Sequence, residues 1–220
     1  KISRDYRLLF FGQLISFFGS FMTFIVVPWQ MYELTGSSAM VGYIYLAEFV
    51  PMVVLAFVGG ALADFFDKRR LLRLTEMAQG LASAVLLVNS LLPEPKIWVL
   101  FLCVAAHAGI AATQRPAFES FIQNIIPPEV MSAVMALNSI RWSLGAIVSP
   151  AIAGVIAVKL GPSIAYALDL VTFAGTLYAV YAIAAVAPPE NAERPSWQGI
   201  KRAWRYAFSR QELLGTYFID

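Results

Sequence analysis

Six apolar runs, each long enough to cross a bilayer, constrain the fold of this chain more than any other feature. The runs lie near 8–32, 40–63, 71–91, 97–118, 132–158 and 163–186. A helix needs about 20 predominantly apolar residues to cross about 30 Å of hydrocarbon. Apolar and polar residues do not alternate within the runs, so a closed sheet is not expected. The sequence therefore predicts an all-α membrane protein with six transmembrane helices.

Composition and motifs narrow the function classes. Hydrophobic residues make up 59% of the chain and charged residues 14%, whereas soluble domains have about 25% charged residues. We find no phosphate-binding glycine loop, nucleophile elbow or His-Glu-x-x-His pattern, so we expect neither an enzyme nor a cofactor. His107 is the single histidine and has no ligand-spaced partner, so we expect no metal site.

The positions of lysine and arginine predict the orientation of the spans. Twelve cations fall on one side: before the first run, at 68–73, and at 194–210. The other side carries only Lys96 and Lys159, and the positive-inside rule then places the N-terminus and the basic side in the cytoplasm. The cations follow membrane topology, so nucleic acid is not an expected partner. Arg115 and Arg141 are expected near the ends of spans on the basic side.

Three segments follow from this interpretation. Residues 1–187 form a six-helix transmembrane half-domain, and 188–212 form a linker with a basic amphipathic helix on the anionic inner leaflet. Residues 213–220 begin another apolar run. We therefore interpret the chain as a fragment that stops as a seventh transmembrane helix starts.

The junction between the second and third runs holds the most informative motif. It runs from Gly60 through Asp64 to three consecutive cations at 68–70. Small residues let helices approach closely, and a carboxylate at a helix end binds backbone donors or cations. Its spacing and location resemble the loop between spans two and three of the major facilitator superfamily.

With this motif, the chain resembles the N-terminal six-helix half of a major facilitator transporter. It is most similar to the enterobactin (siderophore) exporter branch of that superfamily and to its drug-efflux relatives. The resemblance rests on segments spread along the chain: 12–16, 59–70, 91–95, 149–154 and Asp169.

The resemblance implies a secondary active transporter of a bacterial inner membrane. Two six-helix halves would rock around a midplane site, so the C-terminal half, a small-molecule substrate, protons and membrane lipid are the implied partners. The leading hypothesis is a proton-coupled exporter of a siderophore or an amphiphilic drug-like molecule, as in multidrug resistance. Two alternatives stay open: an importer or uniporter of the same fold, and a non-transporting six-span module that needs a partner.

Charged residues near the basic side are candidates for gating. They are, with one glycine, Gly60, Asp64, Lys68, Arg69, Arg115 and Glu119. Asp64 is interpreted as a latch that binds a helix N-terminus or, alternatively, as a simple cap of the third span. Lys68 and Arg69 are expected to pair with Glu119, joined by Arg115 one turn before it. The alternative is a set of exposed charge pairs, worth about 0–1 kcal/mol each.

Glu48 is the candidate for proton coupling. It lies sixteen residues before Asp64, which is about 24 Å along a helix, in the outer third of the second span. Carboxylates inside a membrane are costly and tend to face cavities or partners. The alternative is a structural carboxylate hydrogen-bonded to Tyr43 or Tyr45.

One face of the first span predicts a cavity wall. Gln13, Phe17, Phe21 and Phe24 recur at helical spacing, and aromatic walls suit a catechol or a planar amphiphile. Packing between helices is the alternative. His107, in the middle of the fourth span, is a further cavity candidate, with a neutral buried histidine as its alternative.

Small residues predict a close contact along the fifth span. Gly145, Ser149, Pro150 and Gly154 form this pattern, and small residues let helix backbones approach. In facilitator antiporters a Gly/Pro pattern on this span is associated with export, and tight packing alone is the alternative.

Three further polar residues within the apolar runs need partners. Glu76 is expected to pair with Arg73 or Arg141, and Arg141 is expected to need a carboxylate. A structural role inside the half-domain is favoured for Asp169.

Overall fold

The computed structural model describes residues 4–65, 67–126 and 128–182, which form six long helices with no strand in these ranges. The helices are α1 Arg4–Thr35, α2 Ser38–Phe65, α3 Lys68–Ser90, α4 Ile97–Ile125, α5 Pro128–Leu160 and α6 Pro162–Ala182. All six are long and apolar enough to cross a membrane. The predicted all-α class and the six spans are thereby confirmed. The predicted linker at 188–212 and the predicted start of a seventh helix at 213–220 lie outside the described residues.

The helices extend beyond the apolar runs that predict them. α1 and α5 contain 32 and 33 residues, so each is about 48–50 Å long and exceeds the hydrocarbon thickness. Arg141 is thirteen residues after the first residue of α5, about 20 Å into the helix. The expectation that it lies near the helix end was wrong, because the polar residues before the apolar run continue the same helix.

Two tight turns use glycine in the left-handed region. Gly36 has φ 62° between α1 and α2, and Gly161 has φ 83° between α5 and α6. The Gly36 N–H donates to the Tyr32 carbonyl oxygen at 2.7 Å, which closes the last turn of α1. A side chain with a Cβ rarely adopts this backbone conformation, so glycine permits these short connections.

Asp67 caps the N-terminus of α3. Its Oδ1 accepts a hydrogen bond from the Arg70 backbone N–H at 3.0 Å, which satisfies one of the free donors of the first turn. The alternative interpretation of Asp64 as this cap was wrong, because α2 continues through that position to Phe65. An aspartate directly before the first helical residue was the available sequence signal.

Packing in the bundle follows a simple order. α1 packs on α6 and α5, α3 packs on α6 and α4, and α2 packs on α4. A buried core cluster joins α1, α3, α4 and α6 through Val26, Leu86, Leu100 and Tyr166, among others. α1 and α4 pack on each other only weakly.

We call the side of the bundle where α1, α3 and α5 begin the basic side. There a second cluster of α1, α4 and α5 side chains, including Phe10, Phe118, Ile122 and Val134, joins the three helices. α2 and α5 are the least covered helices: 6% of the α2 span and 22% of the α5 span are buried, against 50% of the α3 span. Their apolar faces therefore need lipid or further helices to cover them.

Candidate functional site

Five aromatic rings from three helices form a continuous row, which we call the aromatic ladder. The ring centroids of Phe17 and Phe21 are 4.6 Å apart, and Trp142 lies 5.0 Å from Phe17 and 5.5 Å from Phe21. Phe24 continues the row 6.2 Å from Phe21 and is followed by Tyr45 at 6.0 Å. These separations lie in the range in which edge-to-face and tilted pairs attract.

The aromatic ladder keeps open ring faces. Trp142 is 51% exposed, and Phe24 and Tyr45 are each 45% exposed, while Phe17 and Phe21 are half-buried. The three phenylalanines lie together on α1, as their spacing predicts. Trp142 of α5 and Tyr45 of α2 join them only through tertiary packing, which periodicity within α1 does not reveal.

Arg141 lies at the end of the aromatic ladder nearest the basic side. Its guanidinium carbon is 5.2 Å from the centre of the Phe17 ring and 5.4 Å from that of Phe118, and the residue is 8% exposed. An arginine over aromatic faces gains cation–π stabilisation, more so when it is desolvated. A buried cation thus lies beside the first ring of the aromatic ladder.

The small residues of α5 form a buried stripe against α1. Gly145, Ser149 and Ala153 are buried at four-residue spacing, and a Cβ on Gly145 would meet Phe17 Cδ1 at 2.7 Å. The absent side chain therefore makes room for the Phe17 ring. Pro150 is exposed, and a Cβ on Gly154 would meet nothing within 4 Å, so these two residues lie away from the contact.

Glu76 of α3 is buried where α3 meets α1 and α4. Its Oε1 accepts hydrogen bonds from Gln13 Nε2 of α1 and Gln114 Nε2 of α4, both at 2.6 Å, and the residue is 1% exposed. The expected pairing with Arg73 or Arg141 was wrong, because α1 and α4 present amides at this level. Arg73 instead lies over the Tyr181 ring, 5.1 Å from its centre.

Asp169 forms a second buried polar centre. Its Oδ2 accepts hydrogen bonds from Thr23 Oγ1 of α1 and Ser83 Oγ of α3, both at 2.7 Å. Ser83 Oγ is also 3.2 Å from His107 Nε2 of α4. Asp169 and Ser83 are fully buried, whereas His107 is partly exposed. The structure therefore connects a buried carboxylate to a histidine through one hydroxyl.

The two polar centres share a layered arrangement. In the first centre, the partly exposed Gln13 and Gln114 contact the buried Glu76 directly. In the second centre, the partly exposed His107 contacts the buried Asp169 through Ser83. Sequence reasoning did not identify Thr23, Ser83 or Gln114 as partners. The available signal was that polar side chains inside transmembrane helices require partners.

Glu48 lies on the face of α2 that packs on α4. It is half-buried, and it shares a face with Pro51 and Leu55, which contact Gly109 of α4. Tyr43 is 56% exposed and Tyr45 belongs to the aromatic ladder. The alternative that Glu48 is held by one of these tyrosines was wrong, since neither hydroxyl bonds to it among the described residues.

The candidate gating residues divide into two groups. Arg115 Nε lies 3.2 Å from Glu119 Oε1 on an exposed strip of α4. Arg69 Nε donates to the Val180 carbonyl oxygen at 3.2 Å, and Arg69 Nη2 donates to the Tyr181 carbonyl oxygen. The expected pairing of Arg69 with Glu119 was wrong, because the start of α3 faces the end of α6.

Three gating candidates remain predictions. Gly60 and Asp64 lie in the last turns of α2, and Lys68 is the first residue of α3. The side chains of Asp64 and Lys68 lie outside the described part of the chain.

Six membrane-spanning helices around buried polar centres define a multi-pass membrane protein. Residues 3–215 match the family model described as transmembrane secretion effector, so the chain belongs to this family of the major facilitator superfamily.

Curated relatives include enterobactin exporters. The enterobactin exporter EntS of Citrobacter koseri is 24% identical over 209 residues, which cover 95% of this chain and 50% of the relative. EntS of Shigella boydii serotype 18 is 24% identical over 206 residues, with 94% and 50% covered. The chain therefore spans about half the length of the curated relatives it matches.

A solved structure shows the same fold. The crystal structure of a mutant of the peptide transporter POT in complex with alafosfalin aligns with a TM-score of 0.69 and 16% identity. The alignment covers 96% of this chain and 45% of that transporter. The shared architecture is that of the major facilitator fold, and the alignment extends over the whole bundle.

Proposed function

We propose that this chain forms one half of a proton-coupled exporter of planar amphiphilic molecules, with catecholate siderophores and drug-like dyes as the substrate classes. The transporter would work in a bacterial inner membrane with its N-terminus in the cytoplasm, and would not be an enzyme. The observation that carries this proposal is the aromatic ladder, whose rings come from three helices and remain partly exposed.

The aromatic ladder matches planar substrates in geometry and chemistry. Each aromatic contact is worth about 0.5–1.5 kcal/mol beyond its buried area, and successive ring centroids here are 4.6–6.2 Å apart. A planar ring can stack on exposed faces without requiring one fixed orientation. The Arg141 guanidinium lies beside Phe17 at one end of the row.

Similarity to two exporters supports export as the direction of transport. The relatives are about twice as long as the aligned segment, so we propose that a second six-helix half completes the substrate site. The poorly covered faces of α2 and α5 would pack on that half. Alternating access would then expose the aromatic ladder to each side of the membrane in turn.

We assign proton coupling to Glu48. This half-buried carboxylate lies on the α2 face that packs on α4, one turn from Pro51. A carboxylate at this depth is costly unless it exchanges its charge or finds a partner. Binding and release of a proton there would change the charge at the contact between α2 and α4.

Transport in inverted membrane vesicles containing the complete protein tests this function. A proton gradient that is acidic inside should drive accumulation of ethidium and of an iron-free catecholate siderophore. Glu48→Gln should abolish the gradient-driven accumulation of both compounds. Glu33→Gln should leave it unchanged, because Glu33 is an exposed carboxylate near the end of α1.

The other outcomes of this experiment are equally informative. Equilibration across the membrane that ignores the gradient and persists in Glu48→Gln would indicate a uniporter and remove proton antiport. Gradient-driven efflux of either compound from these vesicles would indicate an importer. The absence of any transport, with the protein folded and inserted, would indicate a non-transporting module.

A further inference from the structure

A single hydroxyl links the two titratable side chains of the second polar centre. Ser83 Oγ lies 2.7 Å from Asp169 Oδ2 and 3.2 Å from His107 Nε2, and the three residues belong to α3, α6 and α4. We propose that Asp169, Ser83 and His107 form a proton relay inside the six-helix bundle, loaded through His107. This inference rests on the proposed function, because the relay would supply a second proton-binding site to the same transporter.

The Ser83 hydroxyl can pass a proton on, because it donates one hydrogen bond and accepts another at the same time. Ser83 has one O–H, and when it donates to Asp169 Oδ2 its oxygen accepts from an N–H on His107 Nε2. In the transfer step the Nε2 proton moves to Ser83 Oγ while the Ser83 hydroxyl proton moves to Asp169 Oδ2. The donor is the imidazolium form of His107, which becomes a neutral imidazole with its remaining proton on Nδ1, while the carboxylate becomes a carboxylic acid and both hydrogen bonds reverse direction.

Exposure assigns the entry point of the proton. Asp169 and Ser83 are 0% exposed, so neither exchanges a proton directly with solvent. His107 is partly exposed, and its ring lies 6.1 Å from Phe173 of α6. A proton from water would therefore reach the carboxyl group by way of the imidazole.

No lysine or arginine among the described neighbours of Asp169 neutralises its carboxylate, so a proton is the remaining way to neutralise it. Its titratable neighbours are His107 of α4, reached through Ser83, Glu76 of α3 and Tyr166 of its own helix. Thr23 of α1 contributes only a neutral hydroxyl. A carboxylate in hydrocarbon needs a cation or a proton, and none of these neighbours is a lysine or an arginine.

The relay differs from the neutral contacts that join the same helices. Tyr166 donates to Gln30 Oε1 at 2.7 Å, and Thr176 donates to the Gly12 carbonyl oxygen at 2.7 Å. These bonds hold α6 against α1 without a titratable carboxyl group. The Asp169 bonds differ from them, because their acceptor is a titratable carboxyl group that also faces a histidine through Ser83.

Infrared difference spectroscopy of the purified complete protein after a pH jump tests the relay. The wild type should show the C=O band of a protonated carboxyl group after acidification, and Asp169→Asn should lack it. Ser83→Ala should shift this band and delay it by at least about tenfold, since positioned proton transfer contributes about 10²–10⁴-fold. His107→Gln should delay it similarly.

Ser90→Ala is the matched control. Ser90 also lies on α3 and bonds across to α6, through Ser163 Oγ at 2.9 Å, but it touches no titratable group. This variant should leave the band and its rate unchanged. If Asp169→Asn does not fold, the rates in His107→Gln and Ser83→Ala decide the question by themselves.

Two results would overturn the relay: an Asp169→Asn difference spectrum with the same carboxyl bands as the wild type, or rates in Ser83→Ala and His107→Gln equal to the wild-type rate. The measurement uses no substrate, so it is independent of the vesicle assay. A relay band in a protein that transports neither compound would leave the relay in place and remove the proposed function.

Discussion

Arg69 holds the end of α6 against the start of α3. Its Nε lies 3.2 Å from the Val180 carbonyl oxygen, and its Nη2 donates to the next carbonyl, that of Tyr181. A guanidinium presents several N–H donors in a planar fork, so it can donate to two neighbouring carbonyl oxygens at once. Arg69 therefore stabilises a contact within the bundle, whichever role it has in gating.

Replacing Arg69 by lysine should destabilise this contact. Lysine keeps the charge but cannot donate to both carbonyls in the same geometry, so we expect a loss of about 1–2 kcal/mol. Thermal unfolding in detergent, followed by circular dichroism, measures it. Arg70→Lys is the control, since Arg70 is exposed, and equal unfolding temperatures for the two variants would contradict the prediction.

Two glycines of α5 should respond to alanine with opposite signs. Alanine is favoured over glycine in a helix by about 1 kcal/mol, and at Gly154 nothing opposes this gain. At Gly145 the new Cβ would meet the Phe17 ring, and overpacking costs about 1–3 kcal/mol.

Gly154→Ala should therefore raise the unfolding temperature and Gly145→Ala should lower it. Thermal unfolding of both variants in one detergent checks the signs. A stabilised Gly145→Ala would mean that α1 moves away from α5 without cost.

The proposed substrate site predicts that replacing Trp142, but not Trp98, weakens ligand binding. Trp142→Ala removes the ring that contacts both Phe17 and Phe21, and losing such aromatic contacts should weaken ethidium binding about 3–10-fold. Fluorescence titration of the complete protein in detergent measures the affinity. Trp98→Ala is the matched control, because Trp98 is 64% exposed in the first turn of α4. Equal affinities of the two variants would remove Trp142 from the site.

The Glu76 centre predicts non-additive mutations. Gln13 and Gln114 donate to the same carboxyl oxygen, so either amide can partly replace the other. Gln13→Ala and Gln114→Ala should each cost about 1 kcal/mol, and the double variant should cost about 0.5–3 kcal/mol more than their sum.

Denaturant unfolding of the four proteins of this cycle gives the coupling energy. Ser90→Ala combined with Gln114→Ala is the control, because Ser90 is fourteen residues from Glu76 on α3, about 21 Å along the helix. That pair should be additive. Additivity of the two glutamine variants would show that they do not share Glu76.

The amino-acid sequence alone determined the class of fold and the faces of single helices. Six long apolar runs predict six spans because each supplies its own backbone hydrogen bonds across hydrocarbon. Phe17, Phe21 and Phe24 lie together because helical periodicity places them on one face. Both results depend on residues that are close in sequence.

Only the tertiary structure decided which helices supply the partners of the polar residues. Glu76 accepts from glutamines of α1 and α4, Arg69 donates to the end of α6, and Ser83 connects Asp169 to His107. Lipid and neighbouring helices are both apolar, so periodicity distinguishes poorly between a face that meets lipid and one that meets another helix. The partner of a buried polar group therefore depends on the order in which the helices pack, which is a property of the whole bundle.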